Sequence, residues 1–216
     1  MHIGIDPGIS AGAIAITLGK EIIFHKMPDN FRDIKEILKR YAMPNLDDKA
    51  SCYIEKLNQR PLQNPFTNAR MKPMYDNVRD LQNALMDCNI KYKEVYPREW
   101  QKHHNLIIPS NIGEKGVDYE RMGKLKNEQK KIERHLKIDS DLERRMQNDD
   151  YVFFTKKELR KALKEIEKEM SAIKTKESYI RKKRYKEYAE SLYKGKLTMW
   201  QADAYLILKY QKDNEK

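Results

Sequence analysis

Apolar residues are spread unevenly along this chain, and their spacing changes along it. Residues 2–7, 11–18 and 21–26 are short, largely apolar stretches with Gly8 and Gly12 bracketing the first turn. Gly19-Lys20 lies between Ile14/Ile16 and Ile22/Phe24, the pattern of a hairpin. These stretches predict three consecutive strands. Asp29-Asn30 then offers an N-cap to a helix with Phe31, Ile34, Ile37 and Leu38 at spacings of three and four. Residues 50–56 read as a fourth, buried strand, and Arg60 to Pro73 as a polar loop rich in Pro, Asn and Gln. The next helix presents Met74, Val78, Leu81, Leu85 and Met86 on one face. Residues 90–96 form a fifth strand, after which Pro97 suits the first turn of a short helix containing Trp100. Antiparallel strands followed by strands alternating with helices predict an α/β fold: a mixed five-stranded sheet flanked by helices.

From about Pro109 to Lys196 the texture is different. Lys, Arg and Glu dominate, and the apolar positions thin to Leu125, Ile132, Leu136, Leu142, Met146, Leu159, Leu163, Ile166 and Met170. Their spacings of three, four and seven predict long amphipathic helices or a helical hairpin. The expected break is near Asn148-Asp149-Asp150, with Tyr151-Val152-Phe153-Phe154 as an apolar contact and Thr155 capping a helix with Glu158 three residues on. Gly195 ends this extension and Thr198 starts a final helix. The expected organisation is a core of 1–108 and 196–216, interrupted by a basic helical insertion over 109–195. The last part of the insertion, from about 174, is expected to pack on the core.

Composition narrows the partners. The chain has 216 residues and a formal charge of +11, with 39% hydrophobic and 36% charged residues. That implies a modest core and a large solvated extension; the basic excess favours a polyanionic partner, with plain solubility as the alternative. No run of about 18 apolar residues occurs, so no membrane span is expected. The first residues read as a strand rather than a signal peptide, and the expected location is intracellular and soluble. Cys52 and Cys88 share no metal spacing and read as core residues in a reducing compartment.

Three isolated acids stand out against apolar surroundings. Asp6 ends the first strand in Ile5-Asp6-Pro7-Gly8, Glu55 follows Cys52-Tyr53-Ile54, and Asp203 lies within Trp200-Gln201-Ala202-Asp203-Ala204-Tyr205-Leu206-Ile207. Such carboxylates are costly to desolvate without a compensating partner. In a basic protein, their convergence points to divalent-metal chemistry on phosphodiesters, because hard cations take oxygen ligands. Each acid also has a plain structural use. Asp6 caps a turn, Glu55 pairs with Lys56 or Arg60, or Asp203 faces solvent.

Four blocks occur in order: Gly4-Ile5-Asp6-Pro7-Gly8, Tyr53-Ile54-Glu55, Glu94-Val95-Tyr96-Pro97-Arg98-Glu99-Trp100-Gln101-Lys102, and Ala202-Asp203-Ala204-Tyr205-Leu206-Ile207. Together they resemble the RuvC-like Holliday junction resolvases, of the phage and viral branch, over residues 1–105 and 180–212. The resemblance implies a ribonuclease-H-like fold. It further implies a homodimer that cuts opposed strands of branched DNA, a four-way junction, fork or flap. Asp6, Glu55 and Asp203 would be the catalytic metal ligands, holding two Mg²⁺ or Mn²⁺ ions across the scissile phosphate. One departure is plain. Many such enzymes carry a further acid three or four residues before the last aspartate, where this chain has Trp200 and Met199. A non-catalytic DNA-binding protein of the same fold is therefore a rival, and an actin-like ATPase a distant one, since the chain is too short for two such lobes.

Residues 174–186 hold seven basic groups and one acid. Arg181, Lys182, Arg184 and Lys186 reach overlapping faces of a helix, able to neutralise phosphates along one flank. Lys183 and Arg184 are carried over from the resemblance as DNA contacts, with Arg181 beside them. Arg60 and Phe66, in the segment after Glu55, are further candidate DNA contacts; Phe66 either stacks on an unpaired base or anchors in the core. Lys102 is a further phosphate contact. Trp100 reads as core, and His103-His104 lacks the partners of a metal site. The extension either grips a duplex or the partner subunit, or consists of helices solvated by Lys–Glu pairs.

Overall fold

The computed structural model describes residues 1–8, 11–42, 50–57, 65–109, 112–137 and 156–215, with the side chains of the helix starting at Pro65 described from Met71 onward. These residues form two compact units, Met1–Ile107 with Lys182–Lys216, and Ile108–Arg181. The expected break at 148–150, the aromatic contact at 151–154 and the cap at Thr155 lie outside the described residues.

The first unit is built on a mixed five-stranded sheet with helices on both faces. Strands β1 (His2–Asp6), β2 (Ala13–Leu18) and β3 (Glu21–Lys26) precede helix α1 (Phe31–Ala42), β4 (Ser51–Glu55), α2 (Pro65–Asp87), β5 (Lys91–Val95) and α3 (Pro97–His103). The strand order is β3-β2-β1-β4-β5. Strands β1, β2 and β3 pair antiparallel, while β1–β4 and β4–β5 pair parallel. The Asn30 side chain accepts from the Asp33 N–H at 3.0 Å, so it caps α1 as the sequence predicts.

Side chains alternate across strands, and here the alternation sorts two kinds of residue. Ile3, Ile5, Ile14, Ile16, Cys52 and Ile54 face one side, where Ile34 and Leu38 of α1 and Leu81, Ala84 and Leu85 of α2 close a dry core. Gly4, Ala13, Ala15 and Tyr53 face the other side, under the last helix, Met199–Asn214. Two details of α2 differ from the sequence expectation. The helix begins at Pro65 and runs through Pro73, so the polar loop ends earlier than expected. A proline removes one backbone bond from a helix interior, but bonds on either side and an apolar face packed on the sheet sustain the helix. Met86 is 59% exposed, because Ala84 and Leu85 carry the buried stripe at this end.

The second unit contains α4 (Tyr119–Lys137) and the part of α5 (Lys156–Tyr193) up to Arg181. Met122 and Leu125 pack on Met170, with Ile166 and Ile173 alongside. Arg121 donates through Nε and Nη2 to the two Glu169 oxygens at 2.6 and 2.9 Å, and the Tyr119 hydroxyl donates to Glu177 at 3.0 Å. Rising numbers on α4 thus meet falling numbers on α5, an antiparallel helical pair. From Lys182 onward α5 belongs to the first unit, where Tyr185 and Ala189 are buried against Trp100 and residues of α6 (Met199–Asn214). A capping box starts α6. Thr198 Oγ1 accepts from the Gln201 N–H at 3.3 Å, and Gln201 Oε1 accepts from the Thr198 N–H at 2.8 Å.

Candidate functional site

The site is assembled by one close approach. An ideal Cβ at Gly4 would lie 2.5 Å from both the Ala204 carbonyl oxygen and the Leu208 nitrogen. Only glycine therefore lets α6 lie backbone-to-backbone against β1 at this point. Ala13 and Ala15 on β2 continue the small surface under Ala204 and Leu208. The contact places Asp203, the residue before Ala204, beside the end of β1. Asp6 is that end, two residues past Gly4 and on the same face. A second glycine shapes the turn that follows: a Cβ at Gly12 would come within 2.4–2.6 Å of the Gly8 backbone and the Asp6 carbonyl. The Gly12 N–H donates to the Gly8 carbonyl at 2.9 Å, holding Gly12 against Gly8.

Glu55 arrives through the parallel pairing of β4. Ile5 is opposite Ile54, so the next residues of the two strands, Asp6 and Glu55, leave the sheet at the same edge. Asp203 is 8% exposed. The three carboxylates sense one another. Burial pushes the Asp6 carboxyl well above the usual carboxylate range, and the charges of Asp203 and Glu55 push it further. Burial likewise raises Glu55 to about 7; an indole hydrogen bond from Trp100 opposes the rise and the Asp203 charge adds to it. Buried like charges that cannot be separated are an arrangement that favours a bound cation.

Trp100 and Lys182 answer this charge. Trp100 is buried, packed edge-on to Tyr185 at 5.8 Å, and its Nε1–H donates to Glu55 Oε2 at 2.8 Å. The sequence reading as core is right, but its second role went unread, although a buried indole N–H normally needs an acceptor. Lys182 of α5 places Nζ 3.8 Å from Asp203 Oδ2. It lowers the cost of ionising both Asp6 and Glu55. Its position within a run of basic residues gave no signal that set it apart.

The other sequence candidates are more dispersed. Lys102 is exposed on α3. Lys183 is exposed and lies 3.9 Å from Glu187, while Arg181 is exposed in the second unit. Arg184 is half-buried and its Nη2 donates to the Leu106 carbonyl at 2.9 Å, with the guanidinium over the Tyr185 ring. Arg60 lies outside the described residues. Phe66 lies in the first turn of α2, but its side chain falls outside them too. Lys56 turns to Glu94 at 3.3 Å rather than to Glu55. His103 pairs with Asp213 at 3.1 Å, and His104 Nε2 meets the Leu206 carbonyl at 2.8 Å.

Carboxylate oxygens are the donors that hard cations take. Among the described residues, however, no three acidic, imidazole or thiol groups close into a ready cage for an ion. Also among the described residues, no helix is long and apolar enough to cross a membrane.

No family model and no curated protein matches the chain. Among solved structures it is similar to a Thermus thermophilus RuvC structure, at 14% identity and a TM-score of 0.29. That match covers 47% of this chain and 66% of the other.

Proposed function

We propose that the chain is a ribonuclease-H-like, metal-dependent endonuclease that cuts branched DNA, most closely matching Holliday junction resolution. A single observation carries the reading: Asp6, Glu55 and Asp203, widely separated in sequence, are brought to the same end of one sheet face by the β1–β4 register and the Gly4–Ala204 approach, near enough for their charges to raise the Asp6 carboxyl. The order of those acids, strand one, strand four and final helix, supports it, as does the basic excess. These three residues would hold Mg²⁺ or Mn²⁺. A bound divalent cation supplies charge for the attacking water and for the departing 3′ oxygen of the phosphodiester. The chain's own residues do the rest. Trp100 fixes the orientation of Glu55, and Gly4 sets the distance between the Asp6 and Asp203 segments. Lys102, Arg181 and Lys183 present charge for phosphates, contacts that position DNA without reading its sequence. Action as a homodimer on two opposed strands follows from the resemblance.

The test uses synthetic four-way junctions, forks, flaps and linear duplex, with Mg²⁺, Mn²⁺ or chelator. The expected result is metal-dependent cutting of a branched substrate by wild type and none by Asp6→Asn. Equal cleavage by Asp6→Asn would overturn the assignment. A second reading, a branched-DNA-binding protein without hydrolysis, draws on Trp200 and Met199 standing where a further acid is common. Junction retention in a gel shift with no nicking under any divalent ion would favour it.

A further inference from the structure

The end of the sheet that carries the acids also displays an aromatic ring. Val95 lies opposite Glu55 in the parallel register, and the Lys56 N–H donates to the Val95 carbonyl at 2.7 Å. Tyr96 therefore follows Val95 out of the sheet where Lys56 follows Glu55. Tyr96 is 48% exposed; the other exposed large apolar residues described in the first unit, Leu18, Met86, Ile107 and Leu192, are aliphatic. Its backbone is held on both sides. The Tyr96 N–H donates to Glu99 Oε2 at 2.6 Å, its carbonyl accepts from the Glu99 N–H at 2.9 Å, and Pro97 restricts the next φ. A ring displayed from a fixed backbone offers contact area at little entropic cost.

Cations stand near this ring. Lys56 Nζ is 5.1 Å from the ring centroid. Arg98 and Lys102, four residues apart and both exposed, share one face of the short helix that Tyr96 precedes. The acids at 94 and 99 are engaged: Glu94 takes Lys56 at 3.3 Å and the Gln82 amide at 3.0 Å, and Glu99 holds the Tyr96 N–H. An aromatic face flanked by cations suits an unpaired nucleotide, the base stacking on the ring and the phosphates meeting the charges. Bases inside a duplex have both faces covered by their neighbours, so such a platform favours single strands. We propose that Tyr96 is a stacking platform for a base in a single-stranded stretch of branched DNA, with Arg98 and Lys102 on the adjoining phosphates. The inference rests on the nuclease reading and names the DNA element that the acidic end of the sheet receives.

The experiment measures binding of the full chain to a fork with single-stranded arms and to a blunt duplex, by fluorescence anisotropy in chelator over a series of salt concentrations. Tyr96→Ala is expected to weaken fork binding at least about fivefold, the lower end for loss of one stacked base, without changing its salt slope. Tyr96→Phe keeps the ring and is expected to match wild type. Blunt-duplex binding is expected to be the same for all three proteins. Arg98→Met is expected to reduce the slope of log K against log salt by about 0.7, the amount for one phosphate on a single strand. A second readout follows the base itself: 2-aminopurine in a fork arm is expected to be quenched by wild type and Tyr96→Phe but not by Tyr96→Ala. Equal fork binding by wild type and Tyr96→Ala overturns the proposal. So does an equal loss on fork and duplex, or a Tyr96→Phe as weak as Tyr96→Ala. If branched DNA is still cut in those cases, the nuclease reading stands while the platform falls. No binding of the fork or of a four-way junction by wild type sinks both.

Discussion

The two faces of the central sheet use the same strands to opposite ends. On the face closed by α1 and α2, isoleucines meet leucines and every strand residue in the cluster is apolar. On the face under α6, the β1 and β2 residues shrink to Gly4, Ala13 and Ala15, and at the strand ends stand Asp6 and Glu55. The first face stores stability, while the second gives some of it up to crowd carboxylates together. Residues one position apart in β1 therefore differ in what their loss should do.

Asp6→Asn tests this most severely. It is expected to reduce junction cleavage by at least about 100-fold, in the range for removing one charge-stabilising group from a reaction centre. Its metal-free form is nonetheless expected to melt above wild type at pH 8, because a repelling charge is gone. Single-turnover cleavage and calorimetry read the two effects. Leu81→Ala, on the apolar face, reverses them. Denaturant unfolding should show a loss of about 2–5 kcal/mol, while cleavage per folded molecule and metal affinity stay near wild type.

Gly4→Ala lies between these extremes. Its Cβ meets backbone atoms of α6, which cannot rotate away, so a cost of about 1–3 kcal/mol is expected together with weakened metal binding. A variant that kept wild-type affinity and stability would remove the close approach from the account.

The pH dependence separates the faces without mutation. Asp6 and Glu55 have folded-state affinities for protons above their unfolded ones, Glu55 at about 7. The folded state then binds more protons than the unfolded state between about pH 4 and 7. Stability from this pair is present below that window and lost as pH rises through it. Glu190 and Asp213 are held below the usual carboxylate range, by the Leu197 N–H and by Lys209 with His103 respectively, and oppose this trend only at lower pH. Chemical denaturation in chelator from pH 5 to 8 should show falling stability for wild type, a shallower fall for Asp6→Asn, and recovery on adding Mn²⁺. The smallest effect is expected from Trp100→Phe. It keeps the ring packing but removes the bond to Glu55, costing about 1 kcal/mol or several-fold in metal affinity.

The sheet was legible because its signals are local. Glycine turns, alternation and an asparagine cap each act within a few residues. The acids were legible because a carboxylate among isoleucines and alanines conflicts with its surroundings. Lys182 was not, since it stands in a run of basic residues and its approach to Asp203 depends on the packing of Tyr185 and Ala189 on the same helix face. The start of α2 was missed because Pro73 reads as a break, while the tertiary packing that overrides it is invisible in sequence. Arg184, read as a DNA contact, also places its Nη2 on a carbonyl that lies 78 positions away in the chain, a pairing that no local pattern announces.

The parallel alignment of β1 with β4 has a further consequence. Cys52 and Ile54 look one way and Tyr53 and Glu55 the other, so inserting or deleting one residue inside this five-residue strand would invert all of them. Glutamate would then be thrust among isoleucines and isoleucine offered to the acids. The reading frame of one short ribbon thus protects chemistry and solubility together, and length variation in this protein should be confined to its loops and its helical arm.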